Sequence, residues 1–275
     1  MKSDILCACV VYPGIEKYLK QFMDSINNQD FRSFDLLIID NGLNGDYSKL
    51  TINYVVVKSE INNPVINRKK IVQYAIKKQY KKLIFFDSDD LYYKSRVRVI
   101  NEKLNQYGLV IHNMSVINCD GEITNRDFYS NKLCTGEIKF DDILKHNFSG
   151  LGNSGYLVNQ LTNATSVRDD IIAFDWWLAL NVLSQSNGYY TSEILCEYRR
   201  YDNNTTFLEG VEKAVEIEYV EKMRLYDEVL HKCKLSNLQS GKISKTISVT
   251  KENYNEKRKF KKNKSEFWWD LLNKE

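Results

Sequence analysis

The chain has 275 residues, 43% of them hydrophobic and 27% charged, with a net charge of +3. This is enough for one large α/β domain with appendages, or two small domains, and it excludes a chain too polar to build a core. The charge is too small to argue for nucleic acid, and no apolar run is long enough to span a bilayer. The six cysteines (7, 9, 119, 134, 196 and 233) are scattered and lack zinc-site spacing, so reduced thiols in a cytoplasmic protein are expected. No signal peptide is expected, because the apolar run after Met1-Lys2-Ser3-Asp4 meets a turn at Pro13-Gly14. The 18 tyrosines and 4 tryptophans suit either a stacking surface or ordinary core and surface filling.

Residues 4–12 (DILCACVVY) read as a buried strand, continuous rather than alternating, with Cys7 and Cys9 on one face. Residues 15–28 carry Ile15, Tyr18, Leu19, Phe22, Met23 and Ile26 at helical spacing. Residues 34–40 (FDLLIID) are a second buried strand ending at the turn pair Asn41-Gly42, and 53–57 are a third. A helix is expected over 64–79 and a fourth strand over 82–86, ending at Asp87. The order β-α-β-β-α-β, with strands too apolar for a sheet with one wet face, predicts a mostly parallel central sheet covered by helices. Ligands of such sheets bind outside the carboxyl ends of the strands, where Tyr12-Pro13, Asp40-Asn41 and Asp87-Ser88-Asp89 all fall.

The second half is less regular. Residues 95–106 look helical, 109–118 and 122–129 resemble a hairpin around Asp120-Gly121, and 140–147 form a short helix. Residues 150–155, with three glycines, read as a close-approach loop; 170–186 as a helix, and 189–201 as one or two strands. A long amphipathic helix covers 209–232, and from about 241 the composition shifts to Lys, Asn and Ser.

The stretch KKLIFFDSDDLYY (81–93) runs an apolar strand into three carboxylates, Asp87, Asp89 and Asp90. Like charges repel unless a cation or a positive group sits among them. An extended segment would put Asp87 and Asp89 on one side, about 6–7 Å apart, where Mg²⁺ or Mn²⁺ can take one or two carboxylates plus phosphate oxygens. The bland alternative is an N-cap, with Asp89 or Asp90 capping the next helix. A haloacid-dehalogenase-type phosphatase also carries an Asp-x-Asp, although usually on its first strand. A calcium loop does not fit, because Leu91-Tyr92 breaks its pattern.

CACVVYPGIEKYLKQFMDSINNQDFRSFDLLIIDNG resembles the opening of family 2 glycosyltransferases, and NRKKIVQYAIKKQYKKLIFFDSDD resembles their next segment. AFDWWLALNVLSQSNGYYTSEILCEYRRYDNNTT is similar to the Asp-Trp helix and Tyr-Arg segment of rhamnosyltransferase-like members. The likeness runs in order over roughly residues 4–206. It implies a GT-A fold: a single Rossmann-like, mostly parallel sheet flanked by helices, here with a C-terminal helical extension. The implied division is a catalytic domain over 1–208, with a nucleotide-binding half (1–94) and an acceptor half (95–208), followed by 209–275.

The resemblance also implies roles. Tyr12 and Pro13 lie against the nucleotide, Asp40 at its base or ribose, and Arg68 toward the diphosphate. This chain reads Asp40-Asn41 where many members have two acidic residues. Asp87 and Ser88 belong to the donor site, and Asp89 with Asp87 to an Mn²⁺ or Mg²⁺ ion. The loop Gly152-Asn153-Ser154-Gly155 lies beside the donor sugar; Trp176 either stacks on a sugar face or packs its helix onto the sheet, and Arg199 is either a phosphate partner or an ordinary surface residue. No histidine falls near Tyr201, where relatives often carry one, so a histidine metal ligand is not expected. Asp175 matches the catalytic base. The chemistry asks for such a group separately, since the acceptor hydroxyl must lose its proton as it attacks. Asp169-Asp170 is the rival pair on the residues alone, and an N-cap is the bland role for Asp175.

The implied activity is metal-dependent, inverting transfer from a nucleotide-diphosphate sugar, UDP-sugars favoured, to a glycan or lipid-linked acceptor in surface polysaccharide assembly. A catalytically silent binder of the same fold, a phosphatase and a nucleotidyltransferase are the alternatives, although 10–20 lacks the Gly-rich phosphate loop of the last. Residues 257–272 place six Lys/Arg before Phe267, Trp268 and Trp269. That pattern suits the anionic inner face of a membrane, and equally a helix packed on a partner or a solvated end.

Overall fold

The computed structural model describes residues 3–129, 133–200 and 211–257, the side chains of 211–215 and 256–257 excepted. The segment Tyr201–Asn204 and, but for Lys257, the basic aromatic stretch 257–272 lie outside the described residues. In chain order the first elements are β1 (Ile5–Val11), α1 (Glu16–Asn27), β2 (Asp35–Asp40), β3 (Tyr54–Lys58), α2 (Pro64–Lys77) and β4 (Lys82–Asp87). There follow β5 (Leu91–Tyr92), α3 (Arg96–Lys103), β6 (Leu109–Ile117), β7 (Ile123–Asn125), β8 (Gly136–Ile138) and α4 (Phe140–Leu144). The remainder is β9 (Ser154–Leu157), α5 (Phe174–Leu183), β10 (Gly188–Arg199), α6 (Val211–Lys232) and α7 (Asn237–Lys257).

The ten strands of the described residues join one sheet, ordered β3-β2-β1-β4-β9-β6-β10-β5, with β7 on β6 and β8 on β10. The β3-β2-β1-β4 half is wholly parallel, as its apolar strands predict. The other half is mixed: β9 runs antiparallel to both β4 and β6, whereas β6 and β10 are parallel. Residues 109–125 form the expected hairpin. Alternation along β1 sends Leu6 and Ala8 to one core and Ile5, Cys7, Cys9 and Val11 to the other. The first core lies under α2 and α5, the second under α1 and α3. Cys7 and Cys9 share a face, as expected, and burial pushes both thiols up.

The short strands β5 and β8 add to the sequence reading, and two longer elements differ from it. Ser154–Leu157 was expected to continue the glycine loop but is a central strand. Gly155 makes it fit, since a Cβ there would lie 2.4 Å from the Ile100 side chain. Asn237–Lys257, expected only as polar composition, is a helix. It packs on α6, buries Ile243 and stacks Tyr254 on Tyr219 at 4.0 Å. Among the described residues no helix is long and apolar enough to cross a membrane.

Candidate active site

The carboxyl ends of β1, β2, β3 and β4 open into a cavity of about 730 Å³. At its centre the chain turns sharply after β4. The Asp90 amide donates to the Asp87 carbonyl (3.3 Å), and the Tyr92 hydroxyl accepts from the Asp87 amide (2.6 Å). The Ser88 hydroxyl donates to the Val10 carbonyl (2.8 Å), tying the turn to the end of β1. From β10, the Arg199 amide donates to the Asp90 carboxylate (2.8 Å) and the Arg199 guanidinium to the Asp89 carbonyl (2.8 Å). The Tyr12 hydroxyl reaches the Asp89 carboxylate at 3.3 Å.

The turn adds a third carboxylate to the expected pair. The extended reading paired Asp87 with Asp89; Asp87 and Asp90 also converge over Gly152, where a Cβ would lie 2.7 Å from one oxygen and 3.1 Å from the other. Burial, and then the Asp89 charge, push the Asp87 carboxyl up to about 6; Arg68 and the Gly152 amide act in the opposite direction. Asp90 is pushed well above the usual carboxylate range, again by burial first and then by Asp89 and Asp87. Neither Asp89 nor Asp90 caps α3: Ser95 stands at its N-cap position.

Across the cavity, α5 is buried along its whole length except at one side chain. The other nine of its ten residues are buried, and Asp175, in its first turn, lines the cavity. The Trp176 amide donates to the Asp175 carboxylate (2.7 Å), and the Asn147 side chain donates to the same oxygen (3.3 Å). Burial pushes Asp175 up to about 6, Arg68 acts to lower it, and Asp87 raises it further. Arg68 lowers both Asp87 and Asp175, so one cation acts on both walls. It is presented just past the first turn of α2, whose start is fixed by the Asn63 side chain capping the Val65 and Ile66 amides and by Pro64.

The family model described as Glycosyl transferase family 2 matches residues 7–158, more than half of the chain. The chain belongs to glycosyltransferase family 2. A search of curated proteins returns no match. Among solved structures, TarS 1–349 of S. aureus in complex with UDP-GlcNAc is similar over 91% of this chain and 71% of its own, with 16% identity and a TM-score of 0.64. The mannosyltransferase PcManGT of Pyrobaculum calidifontis, in complex with GDP-Man and Mn²⁺, is similar over 92% of this chain and 70% of its own, with 11% identity and a TM-score of 0.60. Against a longer TarS structure the chain spans 43% of the length. These likenesses carry the fold, which is GT-A.

In this glycosyltransferase, Tyr12, Pro13, Arg68, Asp87, Ser88, Asp89, Asn153 and Asp175 all line the cavity. Four expected site residues do not. Asp40 is buried and committed to the loop after β2, accepting from the Asn44 and Gly45 amides and the Tyr47 hydroxyl. Asn41 and Gly42 line the cavity in its place. Ser154 is fully buried and bonds the Gly150 carbonyl and the Tyr156 hydroxyl. Trp176 is fully buried, with its indole N–H donating to the Ile143 carbonyl. It packs α5 into the core, as does Trp177. Arg199, 1% exposed, sits behind the acidic turn.

The rival Asp169-Asp170 pair faces away: Asp169 pairs with Lys69, and Asp170 with Arg168. Sequence reasoning missed Asn147 and Arg96. Arg96 is buried under the turn, donating to the Phe85 and Gly152 carbonyls and to His112. His112 is held neutral by burial and by Arg96. Neither Asn147 nor Arg96 carried a sequence signal, whereas Gly152 lies in the glycine loop already singled out.

The residues present fit a divalent cation. Among the described residues no three His, Cys, Asp or Glu side chains assemble to hold a metal alone. The crowded Asp87, Asp89 and Asp90 carboxylates suit an ion that takes one or two protein oxygens and completes its shell with phosphate and water.

Proposed function

We propose that the chain is a metal-dependent, inverting glycosyltransferase. In this reading it moves a sugar from a nucleotide-diphosphate donor, UDP-sugars favoured, to a glycan or lipid-linked acceptor in surface polysaccharide assembly. The observation that carries the reading is the single half-exposed carboxylate of a buried helix, Asp175, facing an acidic turn across one cavity. The UDP-GlcNAc bound by TarS and the GDP-Man and Mn²⁺ bound by PcManGT support the donor class. Residues 1–94 hold the donor, 95–208 the acceptor, and 209–275 form the extension.

Tyr12, Pro13, Asn41 and Gly42 flank the nucleoside, and Glu60 and Asn62 lie beyond β3 at the base end. Arg68 faces the diphosphate and Asn153 the sugar. Asp87 and Asp89 hold Mn²⁺ or Mg²⁺, with Asp90 braced behind them. When bound, the ion supplies positive charge against the leaving diphosphate. The acceptor oxygen forms its bond to the anomeric carbon as the bond to the diphosphate breaks. Its proton passes to Asp175, whose raised pKa makes it the stronger base.

The test is thermal unfolding with UDP, GDP, UDP-GlcNAc and GDP-Man, each with Mn²⁺ or with EDTA. One nucleotide is expected to stabilise the chain by about 2.7 kcal/mol at a hundredfold excess over its Kd, with the effect lost in EDTA. Failure of all four nucleotides to stabilise it with Mn²⁺ would sink the reading.

A glycine substitution probes the ion. Gly152→Ala would press a methyl group between the Asp87 and Asp90 carboxylates at 2.7 and 3.1 Å. Mn²⁺-dependent nucleotide binding is expected to weaken at least about tenfold, a loss of roughly 1.4 kcal/mol. Calorimetric titration of UDP in Mn²⁺ reads this directly, and unchanged affinity would contradict the assignment of the ion to this turn.

A further inference from the structure

Two side chains of α6 reach the two segments that fix Asp175. Glu221 is 2% exposed, and one of its oxygens accepts from the Ile172 and Ala173 amides, both at 2.8 Å. Ala173 is the N-cap residue of α5, where alanine offers no capping oxygen of its own. The two amides that lead into α5 are instead held by a helix 48 residues further along the chain, two positions ahead of Asp175. The second contact is Tyr226, fully buried, whose hydroxyl donates to the carbonyl of Leu144 (2.8 Å) at the end of α4. Three residues on is Asn147, the side chain that donates to Asp175.

Glu221 is an expensive choice for packing alone. A buried carboxylate raises its own pKa, and only the two amides and Arg224 oppose that. Its second oxygen has no hydrogen-bond partner among the described residues. A leucine at this position would fill space without that cost, but it would leave two amides at the start of α5 unsatisfied.

We infer that α6 is a positioning element for Asp175, with Glu221 and Tyr226 as positioning residues that set the start of α5 and the Asn147 contact. The inference rests on the reading of Asp175 as the base. It makes the C-terminal extension part of the working site for turnover, while donor binding stays with the first half of the chain.

The test uses the full chain and the variants Glu221→Gln, Glu221→Ala, Tyr226→Phe, Asp175→Asn, and Asp175→Asn combined with Glu221→Ala. Binding is read by titration of UDP and of GDP in Mn²⁺. Turnover is read as release of nucleoside diphosphate from UDP-GlcNAc or GDP-Man, whichever donor the unfolding panel selects, with water as acceptor. Glu221→Ala is expected to lower kcat at least about tenfold, as misplacing a reacting group by about 1 Å can cost a hundredfold. Its nucleotide affinity should stay within about twofold, a change of roughly 0.4 kcal/mol.

Glu221→Gln should keep turnover near wild type, because an amide oxygen accepts the same two N–H bonds. Tyr226→Phe, which removes one hydrogen bond and keeps the ring, should lower kcat by a smaller factor and leave binding intact. The double variant should be no slower than Asp175→Asn alone, since the two residues act through one group. Unchanged kcat in Glu221→Ala, weakened binding in parallel with kcat, or a Gln variant as slow as the Ala variant would each overturn the inference. Should Glu221→Ala not fold, Glu221→Gln and Tyr226→Phe decide it by the same criteria. Wild-type turnover in Asp175→Asn alone would instead remove the base assignment beneath it.

Discussion

Asp175→Asn is expected to lose turnover by about 10²–10⁴-fold, the range for removing a general base, while making the fold more stable. The two effects share a cause. Burial raises the Asp175 carboxyl from 3.8 to about 6, so holding it ionised at neutral pH opposes folding. A shift of about two pKa units corresponds to roughly 3 kcal/mol, and partial exposure to the cavity reduces that to about 1–3 kcal/mol. Asparagine keeps the size and the acceptor oxygen that receives the Trp176 and Asn147 N–H groups. It does not carry the charge.

The pH dependence gives the sign. Between 3.8 and about 6 the folded chain holds a proton at Asp175 that the unfolded chain has released. This contribution therefore declines as pH rises through that window. The stability gap between Asp175→Asn and wild type should be near zero at about pH 4 and full above about pH 6, read as urea midpoints at each pH. The wild-type kcat/KM should fall on the acid side of about 6, where Asp175 becomes protonated. Asp87 is raised to the same region, so the profile is to be recorded at saturating Mn²⁺, which holds that carboxyl ionised. Equal urea midpoints for the two proteins at pH 4 and pH 7.5 would show that burial of Asp175 costs nothing.

Much of this was legible beforehand. The parallel arrangement of β1, β2 and β4 follows from three apolar runs, because strands buried on both faces need no alternation. The rule that ligands bind at the carboxyl ends of such strands also placed Tyr12, Asp40 and Asp87 at one edge, whereas Arg68 came from the family resemblance. What could not be read was how tightly the chain turns after Phe86. The turn brings Asp90 as well against Asp87 over Gly152. Single carboxylates were equally hard to assign. Asp40 and Asp175 both stand beside apolar neighbours, yet one is consumed by its own loop and the other faces the cavity. Trp176 illustrates the same limit. An aromatic side chain serves a core as well as a sugar face, and only the surroundings of α5 decide between them. The strand β9 carries Ser154 and Gly155, which local propensity disfavours, and only its neighbours β4 and β6 make it a strand.

Arg199→Met is expected to destabilise the chain by about 3–5 kcal/mol even with no ligand present, the magnitude for stripping a buried charge from its partners. Sequence reasoning offered this arginine as a phosphate contact, which would leave the unliganded fold indifferent to its loss. Its surroundings point elsewhere. The guanidinium donates to the carbonyls of Asp89, Asn118 and Cys119 and to the Gln21 side chain, and it lies 4.2 Å over the Tyr18 ring. Four acceptors on three chain segments are thus gathered at one cation behind the acidic turn. Methionine matches much of the volume but fills none of these bonds, so the Asp89 carbonyl and the hairpin carbonyls lose their donors. Arg199→Lys should recover little, since a single ammonium cannot serve acceptors spread around a planar fork. Mn²⁺-dependent nucleotide binding should fall along with stability, because the turn that presents Asp87, Asp89 and Asp90 is no longer held from behind. Urea unfolding of the unliganded variants separates the two roles. A midpoint matching wild type, together with weakened UDP binding, would return Arg199 to the phosphate. A large loss of stability before any nucleotide is added would identify it as the brace of the acidic turn.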